Sequence, residues 1–287
     1  MEAKCYRRLD EKVVRCDACA HHCLIKPNHR GFCQVRENQD GRLIVLTDYQ
    51  SISVAIDPIE KKPLWHFLPK SLTYSFATVG CNMRCPWCQN MSIARCDDTL
   101  LEGRVITPKE HVQNALKHRV KSISYTYTEP TIFFEYALET MKEAHRNNLK
   151  NVWVSNGMMS ACVRGQILPY LDAINIDLKT ADKRVYKKYC HGDLDRVMEN
   201  LKAFDQSHVH LEVTSLIIPN INDSEQALKD LVKLFKMHLG DDVPWHISRF
   251  YPGGMMKDSS PTPIERLKRL RSIAIDAGIK HVYLGNV

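Results

Sequence analysis

No apolar stretch in this 287-residue chain approaches the roughly 20 residues that a membrane span needs, so no membrane association is expected. Residues 1–10 are charged rather than basic then apolar, which argues against an export leader and for a cytoplasmic location. There is no internal repeat and no low-complexity tract, which sets aside solenoids and disordered arrays. The formal charge of +7 comes from scattered Lys and Arg with no long basic run, so a soluble basic surface is expected rather than a nucleic-acid site. With 44% apolar side chains the chain can bury a large core, as one domain or as a large one beside a small one.

Cysteine is abundant instead. Eleven cysteines without an export signal argue against a disulfide framework, because a reducing compartment keeps thiols free and makes clustered ones metal ligands. The most informative cluster is Cys81-Asn82-Met83-Arg84-Cys85-Pro86-Trp87-Cys88, directly after the apolar run 72–79. Three thiolates on one tight loop can hold three irons of a [4Fe-4S] cluster and leave the fourth iron open to a non-protein ligand. A structural zinc knuckle is the alternative, but such sites pair two Cys-x2-Cys elements or add histidines at fixed spacing. The Cys-x3-Cys-x2-Cys spacing resembles the radical S-adenosylmethionine superfamily, in which the open iron chelates the amino and carboxylate groups of S-adenosylmethionine.

From residue 72 onward, strand candidates at 72–79, 122–127, 151–155, 173–177, 211–217, 243–249 and 281–284 alternate with amphipathic helix candidates. Thr107-Pro108 opens one helix with a cap and a proline at the first position, 131–147 and 224–239 are long and periodic, and Thr262-Pro263 starts the last. About six βα units are too few for an eight-strand barrel. The expected fold is therefore α/β, a partial (β/α)6-type TIM barrel over residues 71–287 behind a small cysteine-rich N-terminal module, residues 1–70. Asp40-Gly41 marks a hairpin turn in that module.

If the cysteine loop holds a cluster, polar residues at the following strand ends should hold its ligand. Glu129, locked by Pro130, suits the ligand's ammonium. Tyr127-Thr128-Glu129-Pro130 resembles the superfamily's Gly-Gly-Glu-Pro element, with Tyr127 and Thr128 in place of the glycines. Asn156 in Ser155-Asn156-Gly157 offers an amide, although a plain strand-to-helix turn explains the tripeptide equally. Asn175, Asp177 and Lys179 share a face, where Asp177 can take ribose hydroxyls and Lys179 a carboxylate; an internal Asp177–Lys179 ion pair is the alternative. His246, with Arg249 on the same late strand, can touch the methionine carboxylate or the substrate, or simply be buried and satisfied.

The match then narrows to a family. Cys16-Asp17-Ala18-Cys19 through Cys23 with Gly31-Phe32-Cys33, the run from Asp57-Pro58-Ile59 to Trp65-His66-Phe67, Asn175-Ile176-Asp177-Leu178-Lys179, and Trp245-His246-Ile247-Ser248-Arg249-Phe250-Tyr251-Pro252 resemble the radical enzyme of the AmmeMemoRadiSam system, a relative of glycyl radical enzyme activases. The resemblance implies Cys81, Cys85 and Cys88 on the cluster, Glu129, Asp177 and Lys179 on S-adenosylmethionine, and His246 close by. It implies as partners a low-potential electron donor such as flavodoxin or ferredoxin, and the other two proteins of the system. The family pattern continues past Leu284-Gly285-Asn286-Val287 into a short tail with two further cysteines, which this sequence does not include.

Cys16, Cys19, Cys23 and Cys33 have the spacing of a second, four-thiolate metal site, with structural zinc ranked ahead of an auxiliary iron–sulfur cluster. Cys5, Cys96, Cys162 and Cys190 have no partner in sequence and are expected as small core residues. Residues 57–67 are expected to connect module and barrel rather than to face a substrate. The expected activity is reductive cleavage of S-adenosylmethionine to a 5′-deoxyadenosyl radical that takes hydrogen from a substrate. The alternatives are an activase that installs a glycyl radical on a partner protein, and a non-catalytic zinc protein that binds RNA or protein.

Overall fold

The computed structural model describes residues 1–96, 101 and 103–287. Its first strands are short. β1 (Tyr6–Arg8), β2 (Val14–Cys16) and β3 (Leu24–Ile25) form an antiparallel three-stranded sheet, and β4 (Arg36–Gln39) pairs with β5 (Arg42–Val45) as a hairpin. Asp40 and Gly41 take φ of 52° and 86°, the left-handed pair that a two-residue hairpin turn requires.

Then follow β6 (Gln50–Ser51), β7 (Ser53–Pro58), β8 (Leu72–Ala77), β9 (Arg104–Val105), β10 (Ser122–Tyr125), β11 (Lys150–Ser155), β12 (Ala173–Asp177), β13 (His210–Ile217), β14 (Trp245–Arg249) and β15 (Val282–Gly285). The main sheet runs β15-β14-β13-β12-β11-β10-β8-β7, parallel throughout except for the antiparallel edge β7. β7 lies before residue 70, so the main sheet begins inside the segment assigned from sequence to the N-terminal module. The β6–β9 ladder and one continuous apolar core also span that point.

The helices are α1 (Met91–Ala94), α2 (Pro108–Lys117), α3 (Phe134–Arg146), α4 (Ala161–Ile167), α5 (Lys183–Val185), α6 (Leu194–Asp205), α7 (Glu225–His238) and α8 (Ile264–Asp276). Their starts follow from capping. Thr107 and Glu110 form a reciprocal capping box before α2, and Ser160, Asp193 and Ser224 accept from the first-turn amides of α4, α6 and α7. Among the described residues no helix is long and apolar enough to cross a membrane.

Strand alternation divides the main sheet into two chemically different faces. Phe76, Tyr125, Trp153, Ile174, Val213 and Trp245 point into the apolar core. Thr73, Ser124, Asn175, Glu212 and His246 point the other way and are also buried, so they need polar partners. Residues 59–67 supply several of these. The Pro63 carbonyl accepts from Asn175 Nδ2 at 2.8 Å, and the amides of Trp65 and His66 donate to the Glu212 carboxylate at 3.0 and 2.8 Å. The Trp65 ring packs on His246 and Tyr283. This connector therefore caps the polar face, tying the segment after β7 to β13, β14 and β15.

One expectation is overturned. Cys5 and Cys162, read as unpaired core residues, form a disulfide between the N-terminal segment and α4. The two lie 157 residues apart, and sequence spacing carries no trace of a pairing that only the packing of the N-terminal sheet on α4 creates.

Candidate active site

The cysteine loop leaves β8 at its C-terminal end, where parallel α/β sheets place their ligands. Cys81, Cys85 and Cys88 are close enough for their charges to interact. Among the described residues no group of three or more His, Cys, Asp or Glu side chains is placed to hold a metal ion. Asn82 Nδ2 is buried with no protein partner, a donor available to a cluster sulfide. The three thiols and this unused donor fit an iron–sulfur cluster.

Burial pushes the Cys81 thiol up to about 12, the nearby Glu129 carboxylate adding to it, and burial also raises Cys88. Cys85 moves the other way, to about 7, chiefly because the Cys190 thiol donates to its sulfur. Cys190, expected as a plain core residue, thus sits against a candidate ligand. A π-turn, Tyr186–Cys190, delivers it there, and the Arg84 amide donates to the Cys190 carbonyl at 2.9 Å. Sequence gave one available cue, the isolated Cys190-His191-Gly192 after a helical start.

The loop is enclosed from several strand ends. After β14, Gly254 adopts φ +59° with its α-carbon pressed on the loop backbone: a Cβ there would come within 2.5 Å of the Pro86 carbonyl oxygen. The adjacent Met255 amide donates to that same carbonyl at 2.7 Å. After β11, Asn156 Nδ2 donates to Asn82 Oδ1 at 2.7 Å and approaches Cys81 Sγ at 3.9 Å. After β10, Asn90 Nδ2 donates to the Tyr127 carbonyl at 2.8 Å.

Glu129 is 2% exposed and its carboxylate accepts four hydrogen bonds. Oε1 accepts from the Thr131 amide, the Thr131 hydroxyl and the Ser155 hydroxyl at 3.1, 2.5 and 2.9 Å, and Oε2 from the Asn156 amide at 2.7 Å. Burial raises its pKa against these hydrogen bonds, which favour the anion. With three donors on Oε1 and one on Oε2, Glu129 locks the ends of β10 and β11 together, and Oε2 keeps a further acceptor position.

Tyr127 occupies the first glycine position of the element it resembles, and it takes φ +65°, the conformation glycine favours. Its side chain accounts for that. The phenol donates to Asp57 Oδ2 at 2.5 Å, and Lys62 Nζ sits 2.7 Å from the same oxygen and 4.5 Å from the phenol ring centre. The backbone turn is thus kept without glycine, held by the segment that caps the sheet.

Asp177 and Lys179 meet at 2.8 Å, the internal ion pair of the alternative reading. Burial would lower the Lys179 pKa, yet the Asp177 carboxylate and the Cys85 sulfur outweigh it and hold the ammonium well above the ordinary lysine value. The pair faces the cysteine loop and the Asp177 side chain is 36% exposed, so one partner is reachable from outside. His246 stands apart from these groups. Its Nε2 lies 2.6 Å from Glu212 Oε2 and its ring packs between Trp65 and Tyr283, inside the capped face. An open cavity of about 460 Å³, lined by His21, Phe32, Met158, Lys187, His191 and Asp193 among others, includes none of the three loop cysteines.

Residues 76–232 match the family model of the Radical SAM superfamily. The uncharacterized protein MJ0808 of Methanocaldococcus jannaschii is 42% identical over 286 residues, 100% of this chain and 85% of that one. The 4-hydroxyphenylacetate decarboxylase activating enzyme of Clostridium scatologenes is 21% identical over 162 residues, covering 52% of each chain. A radical SAM methyltransferase from Sphaerobacter thermophilus has the same fold, with a TM-score of 0.58 at 14% identity over 77% of this chain and 68% of that one. The family uses a [4Fe-4S] cluster and S-adenosylmethionine. The chain belongs to the radical S-adenosylmethionine superfamily.

Proposed function

We propose that this protein is the radical enzyme of an AmmeMemoRadiSam system, built as a partial (β/α)6-type barrel in which Cys81, Cys85 and Cys88 carry the cluster. The observation that carries the reading is the convergence of the Asn156, Glu129–Asn156 and Asp177–Lys179 strand ends on one three-cysteine loop. When bound, the cluster and S-adenosylmethionine supply reductive cleavage to a 5′-deoxyadenosyl radical that takes a hydrogen atom from the substrate.

The chain's own residues do the rest. Asp177 and Lys179 provide opposite charges for the ribose hydroxyls and the carboxylate of the bound molecule, in exchange for their mutual contact. Asn156 orients the loop through Asn82, and Glu129 fixes the two strand ends that frame the ammonium position. The buried His246–Glu212 pair sets the capped floor of the same sheet, apart from the cysteine loop. The low-potential donor is a flavodoxin or ferredoxin, and the other two proteins of the system are its associates.

A second reading, an activase that installs a glycyl radical on a partner protein, is favoured by the activating enzyme among the relatives. Anaerobic reconstitution followed by assay of 5′-deoxyadenosine tests the common core of both. Hydrogen transfer from a glycyl radical enzyme chain, read as a protein-based radical signal, separates the second from the first.

A further inference from the structure

We infer that Lys187 and Lys188 form the docking face for the protein that supplies the electron. That protein is an acidic carrier of a low-potential redox group. The two lysines belong to residues 183–192, a segment with two unlike sides. Lys183, Arg184, Lys187, Lys188 and His191 are exposed, whereas Tyr186 and Cys190 are fully buried. Charge lies on the outer side and contact with the cysteine loop on the inner one.

The inner contacts reach Met83, Arg84, Cys85 and Trp87. Cys190 donates to the Cys85 sulfur, and its carbonyl accepts from the Arg84 amide at 2.9 Å. Gly192 lies against Met83, where a Cβ would come within 2.7 Å of Met83 Cε. The Tyr189 ring stands 6.2 Å from that of Trp87. Tyr186 holds the Asp177–Lys179 strand end as well, its hydroxyl accepting from the Lys179 amide at 3.0 Å. A wall closed in this way passes no substrate to the sulfurs, but an electron needs only a short path through packed and bonded atoms. Lys188 is two residues from Cys190, so a carrier seated on the lysines approaches Cys85 across a single layer of chain.

The outer side gives the partner's charge. Lys183 pairs with Asp195 at 2.6 Å and Arg184 with Asp182 at 3.0 Å, both at the surface. Among the described residues Lys187 and Lys188 have no such carboxylate, and Lys188 lies over the Tyr189 ring at 5.0 Å. The open cavity of about 460 Å³ adjoins them, with Lys183, Lys187, His21 and His191 on its walls and Asp193 among them. The Asp193 carboxylate is taken by the amides of Asp195 and Arg196. Exposed ion pairs are weak and exchange readily, so Lys183 and Arg184 can join the two free lysines on a partner's carboxylates. Asp182, Asp193 and Asp195 interrupt the cations, which suits separate carboxylates on a folded protein better than a continuous phosphate chain. Complementary charge of this kind speeds encounter and fixes orientation. One electron leaves the carrier, which is oxidised, and enters the cluster, which is reduced, with no bond made or broken. The use of the electron rests on the radical reading; the docking face is read by binding.

The test compares K187E/K188E with K109E/K233E, which makes the same charge change on exposed lysines of α2 and α7. Binding of an acidic flavodoxin to the full chain is measured by calorimetry. Formation of 5′-deoxyadenosine is measured in anaerobically reconstituted protein, driven either by reduced flavodoxin or by dithionite. K187E/K188E should bind flavodoxin ~10-fold more weakly than wild type, and added salt should weaken wild type towards that level. Flavodoxin-driven product should fall ~10-fold with it, while dithionite, which needs no docking, gives the wild-type yield. K109E/K233E should match wild type throughout. Equal flavodoxin binding by the two double variants overturns the docking face. Binding of a labelled RNA strand through Lys187 and Lys188, with flavodoxin left unbound, overturns it too. No product from dithionite in a protein that carries its full iron and still binds flavodoxin would instead count against the radical reading alone.

Discussion

The backbone amide of Asn156 donates to Oε2 of Glu129 at 2.7 Å, joining the ends of two neighbouring parallel strands beneath the cysteine loop. Three further donors fill the other carboxylate oxygen. Glu129→Ala strands these buried donors, each costing about 1–3 kcal/mol when left unmet. A fall in Tm of many degrees, with loss of S-adenosylmethionine binding by calorimetry, is expected; Glu129→Gln, which keeps the shape but brings a donor against donors, should retain part of the stability. Equal Tm for Ala and wild type would remove Glu129 from this role.

Glu212 sets an acid limit on the fold. Burial works to raise its pKa, but His210, His246 and the amides of Trp65 and His66 hold it down, from 4.5 to about 2. Because the folded value lies below the unfolded one, the stabilisation is complete above about pH 4.5 and is lost as pH falls towards 2, an amount of about 3 kcal/mol. Chemical denaturation of wild type and Glu212→Gln between pH 6 and pH 3 should show the difference between them shrinking with acid. A constant difference contradicts the assignment.

Tyr127 keeps a left-handed backbone through its phenol–Asp57 bond. Tyr127→Phe leaves the ring under Lys62 and removes only the donor, so a loss of about 1–2 kcal/mol in denaturant unfolding is expected. Cleavage of S-adenosylmethionine should persist, because Asp57 retains Lys62. Loss of cleavage with unchanged stability would show the phenol acting in the chemistry instead.

The Cys5–Cys162 disulfide closes a loop of 157 residues. Cys162→Ala should lower stability by about 2–5 kcal/mol, and dithiothreitol should reduce the wild-type Tm towards that of the variant. Thiol counting by mass spectrometry under oxidising and reducing conditions checks it. Two extra reactive thiols in the untreated protein would mean that the bridge is absent.

The parallel strands and the capped helices were legible because each carries a local cause: apolar runs for strands buried on both faces, and Thr107, Ser224 and Pro108 at helix starts. β7 was hidden because it is an edge strand ending in Pro58, with weak alternation. The loop cysteines stand out by spacing alone. What sequence could not give are the long-range partners: Cys190 reaches Cys85 through a π-turn, Gly254 reaches Pro86 across the loop after β14, and Glu212 gathers donors from the connector. The Asp177–Lys179 spacing was compatible with a ligand and with an ion pair, and without ligand the two charges pair with each other.

The central claim is tested most directly by the dithionite-dependent yield of 5′-deoxyadenosine from S-adenosylmethionine, in anaerobically reconstituted wild type and Cys85→Ala. Product from wild type and none above background from the variant is the predicted result. No product from a wild type that carries its full iron, or the same yield from Cys85→Ala, would contradict it.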